Sequence, residues 1–131
     1  MDESDSVEDV GFQKDDLSYR IIGCAMRVHS VLGPGLREKP YERALAIEFE
    51  EEGIAFIRQP SFQIFYRQRP VGDCQPDFLV ADEIVVDCKS IASIGDNEVG
   101  QVINYLKITG KRVGLLLNFR NTSMQQKRVQ R

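Results

Sequence analysis

The chain is poor in the residues that several common kinds of site require. It has one histidine, His29, near the end of a predicted helix. A histidine there is expected to bond a loop carbonyl, which argues against a Ser-His-Asp or Cys-His enzyme. Its three cysteines, Cys24, Cys74 and Cys88, have no zinc-ligand spacing and cannot all pair, so a reducing cytoplasm is the expected setting. No apolar run approaches the roughly 18 residues of a membrane span. The N-terminus lacks the basic start and apolar stretch of a signal peptide. The expectation is a soluble, cytoplasmic protein with no membrane partner. There is no internal repeat, and 131 residues suit one domain with one core.

Basic residues are missing from one region only. Residues 1–11 carry five acids and no base, and are expected to form an acidic disordered tail ahead of a single domain over 12–131. The formal charge of −3 therefore misrepresents the rest, which holds 17 bases against 15 acids and a net charge of +2. A mildly basic domain is compatible with nucleic acid.

Residues 74–89 organise the chain. They read as two short apolar strands, 78–81 and 84–88, joined by a polar turn at Asp82-Glu83. Side chains alternate along a strand, so Asp87 and Lys89 share one face while Val86 and Cys88 take the other. In an antiparallel hairpin the start of one strand lies beside the end of the next, which brings Asp77 close to Asp87. Two neighbouring carboxylates repel unless a cation sits between them. Lys89 can supply that charge in a plain salt bridge with Asp87 or Asp77. A divalent cation does so better, and Mg²⁺ is usually held through one or two carboxylates.

The surrounding pattern predicts a helix over 16–32, capped by Asp15 or Asp16, and a second over 38–52. Pro40 fits only the first turn of that second helix, and Gly53 closes it. Glu38, Glu42, Leu45 and Phe49 fall on one stripe at helical spacing, so the inward face begins with two carboxylates. Glu38 has two readings, an acid aimed at the hairpin site or an acid favoured by the helix dipole. Residues 54–66 read as a long extended segment interrupted at Gln59-Pro60, and 67–73 as a polar connection with Arg67 and Arg69 at its tip. A third helix, capped by Asp96 or Asn97, runs to about residue 109 and puts Gln101 and Tyr105 on one face. Residues 113–119 form an apolar run expected of a strand buried on both faces. The polar tail 120–131 either adds a short strand or stays mobile. The order is α-α-β-β-β-α-β, a mixed sheet with helices on its faces.

Pro76-Asp77, nine residues, then Asp87-Cys88-Lys89 resembles the signature of the PD-(D/E)xK nuclease superfamily. Gly35-Leu-Arg-Glu38-Lys-Pro-Tyr41 resembles the G-x-x-E-x-x-Y pattern of the GxxExxY family within it. Gln101-Val-Ile-Asn-Tyr105 is similar to the Q-x-x-x-Y element of RecB-type nucleases. The resemblance covers about residues 17–119 and implies a restriction-endonuclease-like mixed β-sheet flanked by helices. It makes Asp77, Asp87 and the Cys88 backbone carbonyl ligands of Mg²⁺ or Mn²⁺, with Glu38 a further acid at the metal. Lys89 would position or activate the attacking water, and Gln101 and Tyr105 would orient substrate or the lysine. Relatives often have Glu where this chain has Asp87, and Cys88 is unusual between the acid and the lysine. The leading expectation is a metal-dependent phosphodiesterase acting on nucleic acid, DNA ahead of RNA. The alternative is a catalytically silent module of the same fold, binding nucleic acid or serving as a protein adaptor. A protein partner or homo-oligomer fits either reading.

Overall fold

The computed structural model describes residues 16–131. The acidic segment 1–11 and the Asp15 cap lie outside the described residues. In chain order the elements are α1 (Asp16–Leu32), α2 (Glu38–Glu51), β1 (Phe56–Arg58), β2 (Phe62–Tyr66) and β3 (Arg69–Cys74). They continue with β4 (Phe78–Val80), β5 (Ile84–Lys89), α3 (Asp96–Thr109), β6 (Val113–Asn118) and β7 (Gln125–Gln130). Five strands form a mixed sheet in the order β1-β4-β5-β6-β7, and β2 and β3 pair apart from it.

The two most apolar strands lie inside this sheet. β5 and β6 run parallel, joined through α3, while their outer neighbours pair antiparallel. Period-two alternation then divides the core between the two faces. Val86, Cys88, Leu115 and Leu117 pack with Ile21, Val28, Leu45 and Phe49 of α1 and α2. Val85 and Leu116 pack on the other side with Val102 and Leu106 of α3. The helix can come this close because β6 carries Gly114, where an added Cβ would lie 2.5 Å from Val102 Cγ1.

Helix ends obey their local chemistry. Pro40 sits in the first turn of α2. Gly53, at φ 68°, closes it in a Schellman motif: Ile54 N–H bonds the Phe49 carbonyl and Gly53 N–H bonds Glu50. The N-cap of α3 falls one residue before the expected Asp96 or Asn97. Gly95 takes the N-cap position, and Glu98 reaches back to its amide at 2.8 Å.

The expected long strand over 54–66 is two strands in different sheets. Gln59 adopts φ 53°, turning the chain so that β1 joins β4 and β2 leaves the main sheet. The expected loop over 67–73 is a tight turn followed by β3, and the tail supplies β7 as the far edge strand. The β4–β5 turn is centred on Ala81-Asp82, both at positive φ, with Glu83 N–H bonding the Val80 carbonyl at 2.9 Å. This is type I′ geometry, the hand that matches strand twist. Among the described residues no helix is long and apolar enough to cross a membrane.

Candidate active site

The β4–β5 register pairs Phe78 with Val86, so one step further Asp77 lies opposite Asp87. The two carboxylates are tied to each other's strands. Asp77 N–H donates to Asp87 Oδ1 at 3.1 Å, and Cys88 N–H donates to Asp77 Oδ2 at 2.7 Å. These bonds fix both acids side by side without spending all of their oxygens. Among the described residues Asp77 Oδ1 takes no hydrogen bond.

Asp87 is only 5 % exposed, on the face of β5 turned toward α3. Lys89 follows on that face, with Nζ 3.3 Å from Asp87 Oδ2. The ammonium also donates to Gln101 Oε1 at 2.9 Å, so α3 holds the lysine from the other side. Tyr105 lies one turn beyond Gln101. Burial and then the charge of Asp87 push its phenol up to about 12, so it stays a hydrogen-bond donor near neutrality.

The acid pair is electrostatically strained. Burial raises the Asp77 carboxyl to about 7, with the neighbouring Asp87 charge adding to the rise and the Cys88 amide opposing it. Burial also raises Asp87, against the pull of Lys89 and the Asp77 amide. The Cys88 thiol points into the opposite core, where burial lifts its pKa well above the ordinary thiol value. A thiol held neutral there is no nucleophile.

The two carboxylates at the start of α2 part company. Glu38 is exposed in its first turn and lines a cavity of about 410 Å³ with Arg37, Ser90 and Arg120. Its charge reaches Asp77, as the weakest of the influences raising that group. Glu42 is 2 % exposed and meets Arg58 Nε and Gln59 Nε2, each at 3.0 Å, with Lys39 at 3.4 Å. Gln59 in turn donates its backbone N–H to the Asp77 carbonyl at 2.7 Å. Glu42 therefore braces the strand start that carries Asp77. The stripe on α2 placed it inward, but its partners come from a segment that periodicity does not connect to it.

Tyr41 also supports the site from outside. Its hydroxyl donates to the Gly33 carbonyl at 2.6 Å and accepts from Leu36 N–H at 3.1 Å, while its ring stacks on Phe119 at 4.6 Å. Ser90, next after Lys89, bonds the Leu36 carbonyl. His29 Nε2 donates to the Asn121 carbonyl at 2.7 Å, the structural role expected of it.

Among the described residues no three His, Cys, Asp or Glu side chains gather closely enough to hold a metal. The donor set is two carboxylates, both hard oxygen ligands. That suits Mg²⁺, which commonly takes one or two carboxylates and keeps its remaining positions for water and phosphate oxygens. Burial first and then the Asp87 charge raise the Asp77 carboxyl, and a divalent cation beside it would favour the ionised form against both.

Sheet order and flanking helices define the class first: a mixed α/β fold of the restriction-endonuclease-like nucleases. A crystal structure of an alkaline exonuclease (LHK-Exo) from Laribacter hongkongensis shares it, with a TM-score of 0.52 and 14% sequence identity. The match covers 71% of this chain and 54% of the exonuclease, so the chain spans about half of that protein's length. At this identity the likeness is one of fold. No curated protein matches the chain. The family follows from the sequence match over residues 15–131: the chain belongs to the PD-(D/E)XK nuclease superfamily.

Proposed function

We propose that the chain is a divalent-metal-dependent nuclease that hydrolyses phosphodiester bonds of nucleic acid through Asp77, Asp87 and Lys89. The observation that carries this reading is the placement of two mutually repelling carboxylates, Asp87 buried and Asp77 half-buried, against a lysine already held by Gln101. An acid pair serving only stability would do better with one member replaced by a neutral residue. The G-x-x-E-x-x-Y stretch at residues 35–41 and the Q-x-x-x-Y stretch at 101–105 support assignment to the GxxExxY type, with a RecB-like element on α3.

Asp77 and Asp87 would hold Mg²⁺ or Mn²⁺, with the Cys88 carbonyl as a further oxygen ligand. Bound there, the ion supplies Lewis acidity toward the phosphate and eases deprotonation of a water. Lys89 places a positive charge beside the phosphoryl oxygens, where negative charge grows in the transition state. Gln101 orients that ammonium, and Tyr105, one turn further along α3 and within reach of the Asp87 charge, offers a neutral hydroxyl donor. Glu38 would be a further acid near the ion, its charge already felt at Asp77.

The test is incubation of the full chain with labelled single- and double-stranded DNA and RNA, in Mg²⁺, Mn²⁺ or EDTA. Cleavage of a substrate in either metal and none in EDTA is expected. A folded protein that binds nucleic acid and cuts nothing would favour the catalytically silent alternative.

A further inference from the structure

The β2–β3 hairpin stands outside the main sheet and packs its inner face toward α3. Between them runs a groove of about 890 Å³. Ile64 and Cys74 form its hairpin wall, and Asn97, Gly100, Gln101, Asn104 and Tyr105 lie on its helix wall. The groove therefore reaches the glutamine that holds Lys89. Tyr66 follows Ile64 by two residues and continues the same strand face toward the tip. It is 65 % exposed, and the Arg67 guanidinium lies 5.9 Å from its ring centre. Residues 62–72 carry Arg67 and Arg69 and no acid.

Resting on the nuclease reading, we propose that this groove is a channel for an unpaired strand of nucleic acid, delivering it to Lys89. The chemistry divides as a single strand requires. The side-chain amides of Asn97, Gln101 and Asn104 sit at helical spacing along one face and suit base edges. Ile64, Tyr66 and Tyr105 offer apolar and aromatic faces for stacking. Among the described residues the lining has one carboxylate, Asp96, and no cation, so phosphates are better kept outside it. The two arginines at the tip are placed to meet them there. Basic groups that track the backbone, combined with aromatics that stack bases, are the recurrent means of binding single strands. A duplex keeps its base faces stacked inside and cannot present them to such a groove.

Gly100 provides a clean block. A Cβ added there meets no heavy atom within 4 Å, so the side chain of Gly100→Leu starts into open groove space, offers no ring for stacking and replaces a poor helix former. Tyr66→Ala, on an exposed side chain, is a second variant independent of helix packing. The measurement is fluorescence anisotropy of the full chain in EDTA with labelled oligothymidylate, oligouridylate and a blunt duplex of equal length. The proposal expects the wild type to bind one or both single strands more tightly than the duplex. Tyr66→Ala should weaken single-strand binding roughly 5- to 150-fold, the range of one missing stacking partner, and Gly100→Leu should weaken it by obstruction, both with an unchanged melting temperature. Arg67→Ala with Arg69→Ala should flatten the salt dependence by about 0.7 in log–log slope for each phosphate that is no longer neutralised. Unchanged single-strand affinity in Gly100→Leu and Tyr66→Ala, or equal weakening toward the duplex, overturns the channel. If such variants still cut nucleic acid, the nuclease reading stands without it. A wild type that neither binds nor cuts any nucleic acid overturns both.

Discussion

The β2–β3 and β4–β5 hairpins turn on the same backbone geometry, two consecutive non-glycine residues at positive φ, yet they occupy opposite environments. Arg67 and Gln68 form one turn, Ala81 and Asp82 the other. Strand β4 is wholly buried, and β5 nearly so, with helices on both faces. In β2–β3 the side chains of Phe65, Tyr66 and Val71 are each about three-fifths exposed or more. The difference lies in composition: Phe-Leu-Val and Ile-Val-Val have nothing to offer water, whereas β3 carries Arg69, Pro70 and Asp73. Burial makes the inner hairpin rigid enough to hold Asp77 and Asp87 at repelling distance. The outer hairpin keeps its aromatic and basic groups available to a ligand.

Equivalent substitutions in the two hairpins should expose this contrast. Phe78 meets Phe49 edge-on at 5.2 Å and Phe56 at 5.7 Å, so Phe78→Ala should cost about 3–5 kcal/mol of stability by denaturant melting. A cost near that of a surface change would show that the inner hairpin is not the core. Lys89→Met comes next. It removes a preorganised charge and should lower the cleavage rate about 10²–10³-fold, roughly 2.7–4 kcal/mol in the barrier, while the protein stays folded and binds Mn²⁺. An early melt in a protein whose wild type never cuts would assign the lysine to folding. Glu42→Ala leaves Arg58 and Gln59 without their acceptor and should cost about 1–3 kcal/mol. The loss of that brace should also weaken Mn²⁺ binding, which calorimetry would read. Phe65→Ala, in the outer hairpin, should change stability by no more than about 0.5 kcal/mol.

The inner hairpin was legible in the sequence because alternation alone assigns Asp87 and Lys89 to one face and Val86 and Cys88 to the other. The convergence of Asp77 on Asp87 needs only antiparallel pairing. The outer hairpin was hidden for two reasons. Arg67-Gln68 carries none of the glycine or asparagine that marks a type I′ turn, and the pairing slips between Ile64 and Phe65, which breaks the alternation in β3. The break at Gln59 was signalled by Pro60, but not that the chain would change sheets there. Between Glu38 and Glu42, one helical stripe gives no preference. Arg58 and Gln59, brought in by tertiary folding, decide which acid is buried. Strand β7 was equally obscure, since only Val129 of its residues is buried and an edge strand needs little more.

That the acids of the inner hairpin are packed together to hold a cation is tested most directly by melting temperature against pH, with and without Mn²⁺. The folded Asp77 carboxyl titrates at about 7, above its ordinary value of 3.8, so the folded state binds its proton more tightly than the unfolded chain. Stability from this group is therefore full below about pH 4 and falls as pH rises through about 7. Mn²⁺ competes with that proton and should restore stability most at about pH 8 and least at about pH 5. Asp77→Asn, which keeps an acceptor for the Cys88 amide, should flatten this fall and abolish the Mn²⁺ effect. The same pH slope and the same Mn²⁺ stabilisation in Asp77→Asn as in the wild type would contradict the account.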